Sequence, residues 1–340
     1  MRSTEFSSYS ILAVIPARKG SKGIPRKNMR LLNGRPLISY AIENALASRY
    51  IDDIAVSTDS EEILSFVEQY VGVVPLKRGA DLAQDAVTLD PVVYDAVIQM
   101  EDKRRIRYDA IVTLQPTSPL LTVEVLDNAI QSFMESQCDS MISVVNAPHL
   151  SWKKDSSGKI IPAYEKRLNR QQLPPSYLET GAFLLTRRES VAFDTRLGSE
   201  VGVFEMPAEQ AVDIDAKEDW AVCEAVLSRK TIAFRVDGHR SLGLGHINRA
   251  LSLAYELMGH NVVFLCNPSY PLGIECLHNA NMHVEEVPDT NSLLTWLDGH
   301  PVDIFVCDLL DTERDFVSAV KQRVGRLVPS RILRTFPTAS

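Results

Sequence analysis

The sequence has few cysteines and no apolar stretch long enough to cross a membrane. Its 5 cysteines are an odd number, and no two are spaced as a Cys-x-x-Cys pair. A disulfide framework and a zinc site of ordinary spacing are therefore not expected, and a reducing cytoplasm is the expected compartment. The first ten residues contain no apolar signal-peptide core, and the longest apolar run, residues 11–17, is interrupted by Pro16. We expect neither export nor anchoring in a membrane.

The sequence also lacks an excess of positive charge. It has 36 lysines and arginines against 44 aspartates and glutamates, which leaves a net charge of -8. That balance argues against binding to nucleic acids or anionic membranes, although a local basic cluster can still hold a phosphate. Apolar residues make up 45% of the chain, which excludes disordered and low-complexity classes. At roughly 150 residues per domain, the chain is long enough for two domains.

Short apolar runs alternate with helix-length amphipathic segments in the first half of the chain. The runs lie at residues 11–16, 53–58, 110–115 and 140–145. None of them alternates cleanly between apolar and polar residues, which is typical of strands that are covered on both faces. The pattern predicts an α/β fold with a mainly parallel, Rossmann-like sheet.

The composition of the chain changes at residue 150. Residues 150–178 are polar and basic, and we interpret them as an irregular excursion that carries a functional surface. The first domain is expected to span residues 1–230, and it is completed by two strand-like runs and a helix at 179–186, 203–207 and 217–230.

A second alternating series begins at residue 231. Its apolar runs predict a smaller α/β half-domain that extends to residue 328, with strands at 231–237, 261–266, 282–288 and 303–308. From residue 324 onward the sequence shows neither a strand nor a helix pattern, and residues 329–340 are expected to form an irregular tail.

A glycine- and lysine-rich loop directly follows the first predicted strand. Residues 17–28 contain Gly20, Gly23, a serine and five cations, which are Arg18, Lys19, Lys22, Arg26 and Lys27. Glycines allow several backbone N–H groups to turn toward one anion, and the cations supply charge-assisted hydrogen bonds, so the loop suits a triphosphate. Its spacing matches neither the P-loop nor the dinucleotide-binding fingerprint. The alternative interpretation is a solvated basic turn.

The segment VIPARKGSKGIPRKN at residues 14–28 resembles the signature of the acylneuraminate cytidylyltransferases, also called CMP-sialic acid synthetases. The resemblance covers residues 11–228 and continues through VSTDS at 56–60, LKRGADLAQD at 76–85, LQPTSPL at 114–120, RQQLP at 170–174 and VDIDAKEDW at 212–220. It implies a nucleotidyltransferase domain of the GT-A-like type whose substrates are CTP and a nine-carbon 2-keto sugar acid. It also implies a homodimer, with the excursion at 150–178 reaching toward the partner.

The same resemblance implies roles for individual residues. Arg18 and Lys27 would neutralise the phosphates of CTP, and together with Asp215 they would form the catalytic set. The remaining residues implied in CTP binding are Ser21, Lys22, Asn28, Arg78, Thr88 and Gln115.

Other residues are implied in binding the sugar. These are Gln115, Arg170, Gln171 and Glu179, and the guanidinium of Arg170 suits the sugar carboxylate because it can bind it with two parallel hydrogen bonds. Sialic acid members commonly have an Asn-Gly pair before the apolar strand, whereas this chain has Glu179-Thr180-Gly181. The carboxylate changes the charge of the pocket, so legionaminic, pseudaminic and deaminated sialic acids all remain open as substrates.

Asp213 and Asp215 lie two residues apart. On an extended segment both carboxylates would lie on one face, about 6 to 7 Å apart. Two hard oxygen ligands suit Mg²⁺, the expected cofactor, which keeps waters and substrate phosphate in its other positions. The alternative is that one of the aspartates caps the helix that follows.

The implied reaction is attack of the anomeric hydroxyl on the α-phosphate of CTP, with release of pyrophosphate. Positioning and charge neutralisation would supply most of the catalysis. The base that removes the hydroxyl proton is not identified, and a water bound to Asp213 or Asp215 is one candidate. An eight-carbon octulosonate cytidylyltransferase is the alternative, and its loop follows a different pattern of arginine, serine and Pro-Gly-Lys.

The second predicted domain carries a separate motif, GLGH at residues 243–246. Its surroundings resemble the start of the nucleotide-sugar hydrolases of pseudaminic acid synthesis, relatives of the GT-B glycosyltransferases. The resemblance implies a site at Asp237, His246 and Arg249. About 100 residues suffice for only one of the two Rossmann-like halves of such enzymes, so we expect a truncated module with weak or no hydrolysis. Binding of a nucleotide sugar without catalysis, or a role in assembly, is the alternative.

Overall fold

The computed structural model describes residues 9–20, 23–238, 243–309 and 313–329. The chain divides into two compact units, Met1–Leu227 and Ser228–Ser340. The sequence placed this division at residue 230.

The first unit is built around a seven-stranded sheet with the order β11-β7-β10-β6-β1-β4-β5. All neighbouring strands are parallel except β10, which is antiparallel to both β6 and β7. Two small antiparallel pairs, β2 with β3 and β8 with β9, lie outside this sheet. The strands are β1 (Ile11–Pro16), β2 (Leu31–Leu32), β3 (Arg35–Pro36), β4 (Asp53–Thr58), β5 (Val73–Lys77), β6 (Ala110–Leu114), β7 (Ser140–Asn146), β8 (Trp152–Lys154), β9 (Ile160–Pro162), β10 (Tyr177–Arg187) and β11 (Val201–Glu205).

Among the described residues of this unit, four helices lie between successive parallel strands, and a fifth follows its last strand. They are α1 (Leu37–Ala47), α2 (Glu61–Val67), α3 (Leu89–Arg104), α4 (Val123–Glu135) and α5 (Lys217–Leu227). Two of them begin at side-chain caps, because the hydroxyls of Ser60 and Thr122 accept hydrogen bonds from Ile63 N and Val125 N. These caps satisfy N–H groups that the first helical turn leaves without partners.

The central strand β1 shows why the apolar runs become buried strands. All six of its residues are buried. Ile11 and Ile15 face one hydrophobic cluster, whereas Leu12 and Val14 face another on the opposite side of the sheet. A strand covered on both faces needs apolar residues at every position. The predicted α/β fold with a mainly parallel sheet is therefore confirmed.

The excursion between β7 and β10 contains more regular structure than its sequence indicates. Strands β8 and β9 form an antiparallel pair within it, with Trp152 opposite Pro162. Its side chains are largely exposed, including Trp152 and Ile160, which are each 56% exposed.

The second unit contains a five-stranded parallel sheet with the order β14-β13-β12-β15-β16. Its strands are β12 (Thr231–Val236), β13 (Asn261–Cys266), β14 (His283–Glu286), β15 (Val302–Asp308) and β16 (Val324–Pro329). Its helices are α6 (Gly245–Glu256), α7 (Pro271–Asn279), α8 (Thr290–Gly299) and α9 (Arg314–Lys321).

Strand β16 corrects the sequence analysis. The expectation that no element follows residue 324 is wrong, because Val324–Pro329 pairs in parallel with β15. This edge strand has no buried residue, and it contains Gly325 and Arg326, so it lacks the apolar run that marks a central strand. A side chain at Gly325 would meet the carbonyl oxygen of Asp303 at 2.8 Å, so glycine permits the close pairing. Residues 330–340 of the expected tail lie outside the described residues.

Within the described ranges, no helix combines the length and the apolarity that crossing a membrane requires.

The cysteines differ in their expected reactivity. Cys223, Cys266 and Cys307 are buried, and burial raises the pKa of the first two thiols to about 12 and that of Cys307 to about 11. Only the thiolate is nucleophilic, so these three thiols are expected to resist alkylation in the native protein. Peptide mass spectrometry after brief iodoacetamide treatment should find label on Cys138 and Cys276 alone, and on all five cysteines after unfolding. Native labelling of Cys223 at the rate of Cys138 would contradict this.

Candidate active site

A cavity of about 300 Å³ opens at the carboxyl ends of the central parallel strands of the first unit. Arg18 follows β1, Arg78 follows β5 and Gln115 follows β6, and all three line the cavity. From β1 the chain proceeds to β4 and β5 on one side and later to β6 on the other. The cavity therefore lies at a topological switch point, where open α/β sheets bind ligands.

Most of the residues singled out in the sequence for CTP and metal binding line this one cavity. They are Arg18, Lys27, Asn28, Arg78, Thr88, Gln115, Asp213 and Asp215. Thr88 lies directly before α3, and its side chain makes no capping hydrogen bond there. Ser21 and Lys22 lie outside the described residues.

Lys27 connects the basic loop to the segment that carries the two aspartates. Its side chain is 12% exposed, and its Nζ donates a 2.6 Å hydrogen bond to the carbonyl oxygen of Ile214. The same Nζ lies 3.5 Å from Oδ1 of Asp215. These contacts hold a largely buried ammonium group at the wall of the cavity, where an incoming anion meets little competition from water.

The loop that carries the cations is held from several sides. Asn28 donates from Nδ2 to the carbonyl oxygen of Arg18 at 3.0 Å. Asp59, which follows β4, accepts a 2.7 Å hydrogen bond from the backbone N–H of Lys19. Arg26 adopts a left-handed backbone with φ 55° and forms an ion pair with Glu62. The loop is therefore preorganised by contacts with residues distant in sequence, which a freely solvated turn would not require.

Gly23 lies against the aspartate segment. A Cβ atom there would be 2.4 Å from the carbonyl oxygen of Asp215, whereas a Cβ at Gly20 would meet nothing within 4 Å. The backbones of the loop and of residues 213–215 thus approach too closely for any side chain at position 23.

We expect Gly23→Ala to lower the free energy of unfolding by about 2 kcal/mol, because the backbone must move to remove the overlap. Gly20→Ala is the matched control and should stay within about 0.5 kcal/mol of the wild type. Chemical denaturation of both variants measures the difference. Equal stability of the two variants would contradict the close approach.

Arg78 is the buried cation of the site. It is 6% exposed, and its Nη2 donates a 2.8 Å hydrogen bond to the carbonyl oxygen of Ser57. Burial lowers the pKa of this guanidinium, and the nearby carboxylate of Asp59 opposes that shift. The fixed side chain can present its remaining N–H groups to a ligand without further loss of rotamer entropy.

Asp213 is a partly buried anion of the site. Burial raises the pKa of its carboxyl group and the charge of Asp215 adds to the rise, while Thr117 and Lys27 lower it. Oδ1 of Asp213 is buried and has no hydrogen-bond partner among the described residues. A buried carboxylate oxygen without a partner is costly, and a cation would satisfy it.

The backbone next to Asp213 is shaped to admit its carboxylate. Gly181 in β10 has φ +70°, and a Cβ there would lie 3.3 Å from both Asp213 Oδ2 and Gln115 Nε2. Glycine therefore allows the strand to pass close to both groups in a left-handed conformation that other residues rarely adopt.

The segment that carries the two aspartates leads into α5, and their role as helix caps stays an alternative prediction. Helix α5 begins at Lys217, and Oδ2 of Asp219 accepts hydrogen bonds from the N–H groups of Asp215 and Ala216 at 3.0 and 2.7 Å. Asp219 therefore fixes the backbone directly before α5, and Oδ1 of Asp215 lies 3.5 Å from Nζ of Lys27. Among the described residues, no group of three or more histidine, cysteine, aspartate or glutamate side chains could hold a metal ion. Two carboxylates together with substrate phosphate are nonetheless a normal donor set for Mg²⁺.

The residues implied in sugar binding, apart from Gln115, do not appear among the residues that line the cavity. Arg170 and Gln171 lie in a short 3₁₀ turn and Glu179 lies in β10, and all three are exposed. Thr180, the next residue along β10, is buried and donates a 2.8 Å hydrogen bond to the hydroxyl of Ser143. Its hydroxyl therefore holds β10 against β7.

Sequence reasoning did not identify one wall of the cavity. This wall is the segment between β5 and α3, and its members include Leu82, Ala83, Gln84, Asp85 and Val87. The only sequence signal was that part of this segment belongs to the motif at residues 76–85.

The second unit gathers its singled-out residues at the carboxyl edge of its own sheet. His246 Nδ1 lies 2.9 Å from Oδ1 of Asp308, and Arg249 Nη2 lies 3.0 Å from Oδ2 of the same carboxylate. Asp308 ends β15 and is 1% exposed, and the sequence analysis did not select it. Asp237 pairs with Arg235 at 2.6 Å. The catalytic role of this group stays a prediction.

Comparisons with known proteins concern mainly the first unit. The sequence matches the cytidylyltransferase family over residues 12–233. A pseudaminic acid cytidylyltransferase of Campylobacter jejuni is 32% identical over 214 residues, which are 61% of this chain and 92% of that protein. An N-acylneuraminate cytidylyltransferase A of Danio rerio is 33% identical over 223 residues, which are 64% of this chain and 50% of that protein.

A solved structure shares the fold. A 4-diphosphocytidyl-2C-methyl-D-erythritol synthase aligns with a TM-score of 0.50 at 14% sequence identity, and the match covers 65% of this chain and 99% of that chain.

Proposed function

Because the chain belongs to the cytidylyltransferase family, we propose that its first unit transfers CMP from CTP to the anomeric hydroxyl of a nonulosonic, sialic-acid-like sugar. Pyrophosphate is the second product. The relatives named for pseudaminic acid and N-acylneuraminate support a nine-carbon 2-keto acid as the acceptor. The observation that carries the proposal is the single cavity in which Lys27 and Arg18 lie together with Asp213 and Asp215.

The cations of the cavity stabilise the phosphates. Lys27 and Arg18 bind the oxygens of the triphosphate and neutralise the charge that develops on the leaving pyrophosphate. Lys27 is already held by Ile214, so it needs little reorganisation when CTP binds. Catalysis then rests on groups aligned before the reaction begins.

A second set of cavity residues, Arg78, Gln115 and Thr88, binds the nucleoside. Arg78 follows β5, Gln115 follows β6 and Thr88 lies directly before α3, so each of the three is adjacent to a regular element of the fold. We place the cytosine and ribose against these residues.

Asp213 and Asp215 are the proposed ligands of Mg²⁺. Oδ1 of Asp213, buried and without a hydrogen-bond partner in the described ranges, fits a hard cation. When bound, the ion would withdraw charge from the phosphate oxygens. Asp219 fixes the backbone of Asp215 by accepting its N–H, so residues 213–215 are expected to keep their position with and without the ion.

Arg170, Gln171 and Glu179 are proposed to meet the sugar. Their exposure leaves them available to a ligand that extends out of the cavity. A guanidinium at position 170 matches the carboxylate of the acid, and Glu179 suits a hydroxyl or acetamido N–H group.

We also propose a homodimer in the cytoplasm. The excursion and the start of β10 expose apolar side chains, including Trp152, Tyr177 and Leu178, that a second copy of the chain would cover. For the second unit, the cluster of His246, Arg249 and Asp308 supports a module that binds a nucleotide sugar.

The function is tested by pyrophosphate release. Purified protein receives CTP and Mg²⁺ together with N-acetylneuraminic, deaminated neuraminic, legionaminic, pseudaminic or octulosonic acid, and mass spectrometry identifies the CMP-sugar. UTP and ATP in place of CTP are the controls for the nucleotide. Turnover with one nine-carbon acid and CTP is expected. Turnover with octulosonic acid alone would favour the eight-carbon alternative, and no turnover by folded protein would reject the proposal.

A further inference from the structure

The wall between β5 and α3 is attached to the sheet mainly at its start. Arg78 donates its backbone N–H to the carbonyl oxygen of Thr58 at 2.8 Å, and its side chain is bound to Ser57. Farther along, the backbone hydrogen bonds are local, from Leu82 N to Gly79 O and from Val87 N to Gln84 O, both at 3.1 Å. Residues 79–88, here called the wall segment, therefore depend on side-chain contacts for their position over the cavity.

One such contact crosses to the phosphate-binding side. Nη1 of Arg18 donates a 2.7 Å hydrogen bond to Oδ1 of Asp85. The two residues are 67 positions apart and both line the cavity. Their side chains are 40% and 59% exposed, so water screens the pair and its net contribution to stability is small.

This ion pair conflicts with the role of Arg18. A guanidinium that binds a triphosphate is next to an anion of much higher charge than one carboxylate, and Asp85 would lie beside that anion. Like charges at such a distance repel, and a weak exposed pair is readily exchanged for a stronger one. The carboxylate therefore competes with phosphate for the same guanidinium.

We propose that Asp85 is a positioning residue that serves as the counter-ion of Arg18 only while the phosphate site is empty. Polyphosphate displaces Asp85 from Arg18, and the pair forms again when pyrophosphate leaves. Asp85 thus sets the affinity for pyrophosphate and aids its release. The physiological ligand in this proposal rests on the proposed function.

Binding of inorganic pyrophosphate, measured by calorimetry in the presence of Mg²⁺, tests the competition directly. Asp85→Asn should lower the dissociation constant about 3- to 10-fold, because it removes both the competitor and a repelling charge. Asp81→Asn is the matched control, since Asp81 is an exposed carboxylate of the same segment that does not appear among the cavity-lining residues. It should change the dissociation constant less than twofold. Unchanged or weaker binding by Asp85→Asn would overturn the proposal.

A second comparison separates the ion pair from a general effect of charge. In an Arg18→Ala background, the change from Asp85 to asparagine should have less than half of its effect in the wild type. An equal effect in both backgrounds would show that Asp85 acts by its charge alone, and the proposal would fail.

If these effects on pyrophosphate binding appear while no sugar is turned over, the ion-pair exchange stands and the proposed function fails.

The kinetic signature is a lower KM for CTP and stronger inhibition by pyrophosphate in Asp85→Asn. A variant with a raised KM would instead mean that Arg18 needs Asp85 to be aimed at the phosphates, which contradicts the proposal.

Discussion

Replacement of Lys27 by alanine is expected to lower kcat for nucleotidyl transfer by about 10²- to 10³-fold, the usual cost of losing one preorganised group that stabilises the transition-state charge. The Lys27 side chain is only 12% exposed and lies at the cavity wall, so its charge acts on bound phosphate with little screening. Steady-state pyrophosphate release measures the effect.

Lys27 also holds two segments together, so folding must be controlled. Lys27→Met keeps most of the buried side-chain volume and should lose activity to the same extent as Lys27→Ala. Lys77→Ala removes an exposed lysine that pairs with Glu61 at the surface, and it should retain full activity. If both Lys27 variants retain kcat within threefold of the wild type, Lys27 does not take part in the reaction.

Replacement of Asp213 by asparagine is expected to lower activity by about 10²-fold and at the same time leave the protein at least as stable in the absence of Mg²⁺. The loss of activity follows from removing a proposed Mg²⁺ ligand. The gain in stability follows from the partly buried carboxylate, whose buried Oδ1 has no hydrogen-bond partner in the part of the chain that the structure describes.

The sign of the stability effect comes from the pKa. Burial raises the pKa of the Asp213 carboxyl group above its unfolded value. The stability that this group contributes is therefore fully present at pH values below its unfolded pKa and is lost as the pH rises through the raised value. At neutral pH the ionised group opposes folding, and asparagine removes that charge.

Thermal unfolding with and without Mg²⁺ checks this prediction. Mg²⁺ should raise the unfolding midpoint of the wild type and of Asp81→Asn, and have a much smaller effect on Asp213→Asn. A metal-free Asp213→Asn protein that unfolds several degrees below the wild type would mean that the carboxylate is bound by protein groups. In that case Asp213 would be structural.

The central strands could be predicted from the sequence because burial on both faces leaves a signal in every residue. Strands β1, β4, β6 and β13 were all expected from their apolar runs, and they lie where expected within one or two residues. Edge strands carry a weaker signal. Strand β16 was missed because solvent reaches it and its composition is not constrained to apolar residues.

The residues of the candidate site also divide into those that the sequence indicates and those that it does not. Arg18, Lys27 and Asn28 are close in sequence, and a compact basic loop after a buried strand was enough to indicate an anion site. The two aspartates were recognisable as a pair because their spacing is local. The sequence by itself therefore determined the fold class, the family and the charged groups Arg18, Lys27, Asp213 and Asp215 of the cavity.

The tertiary structure alone decided how these groups act on one another. It joins Lys27 to Ile214 across 187 positions and Arg18 to Asp85 across 67. It buries Oδ1 of Asp213, which finds no hydrogen-bond partner among the described residues. It also makes Asp219 the acceptor for the N–H groups before α5. Charge, burial and hydrogen bonding between distant segments depend on which strands lie next to each other, and local sequence patterns do not contain that information.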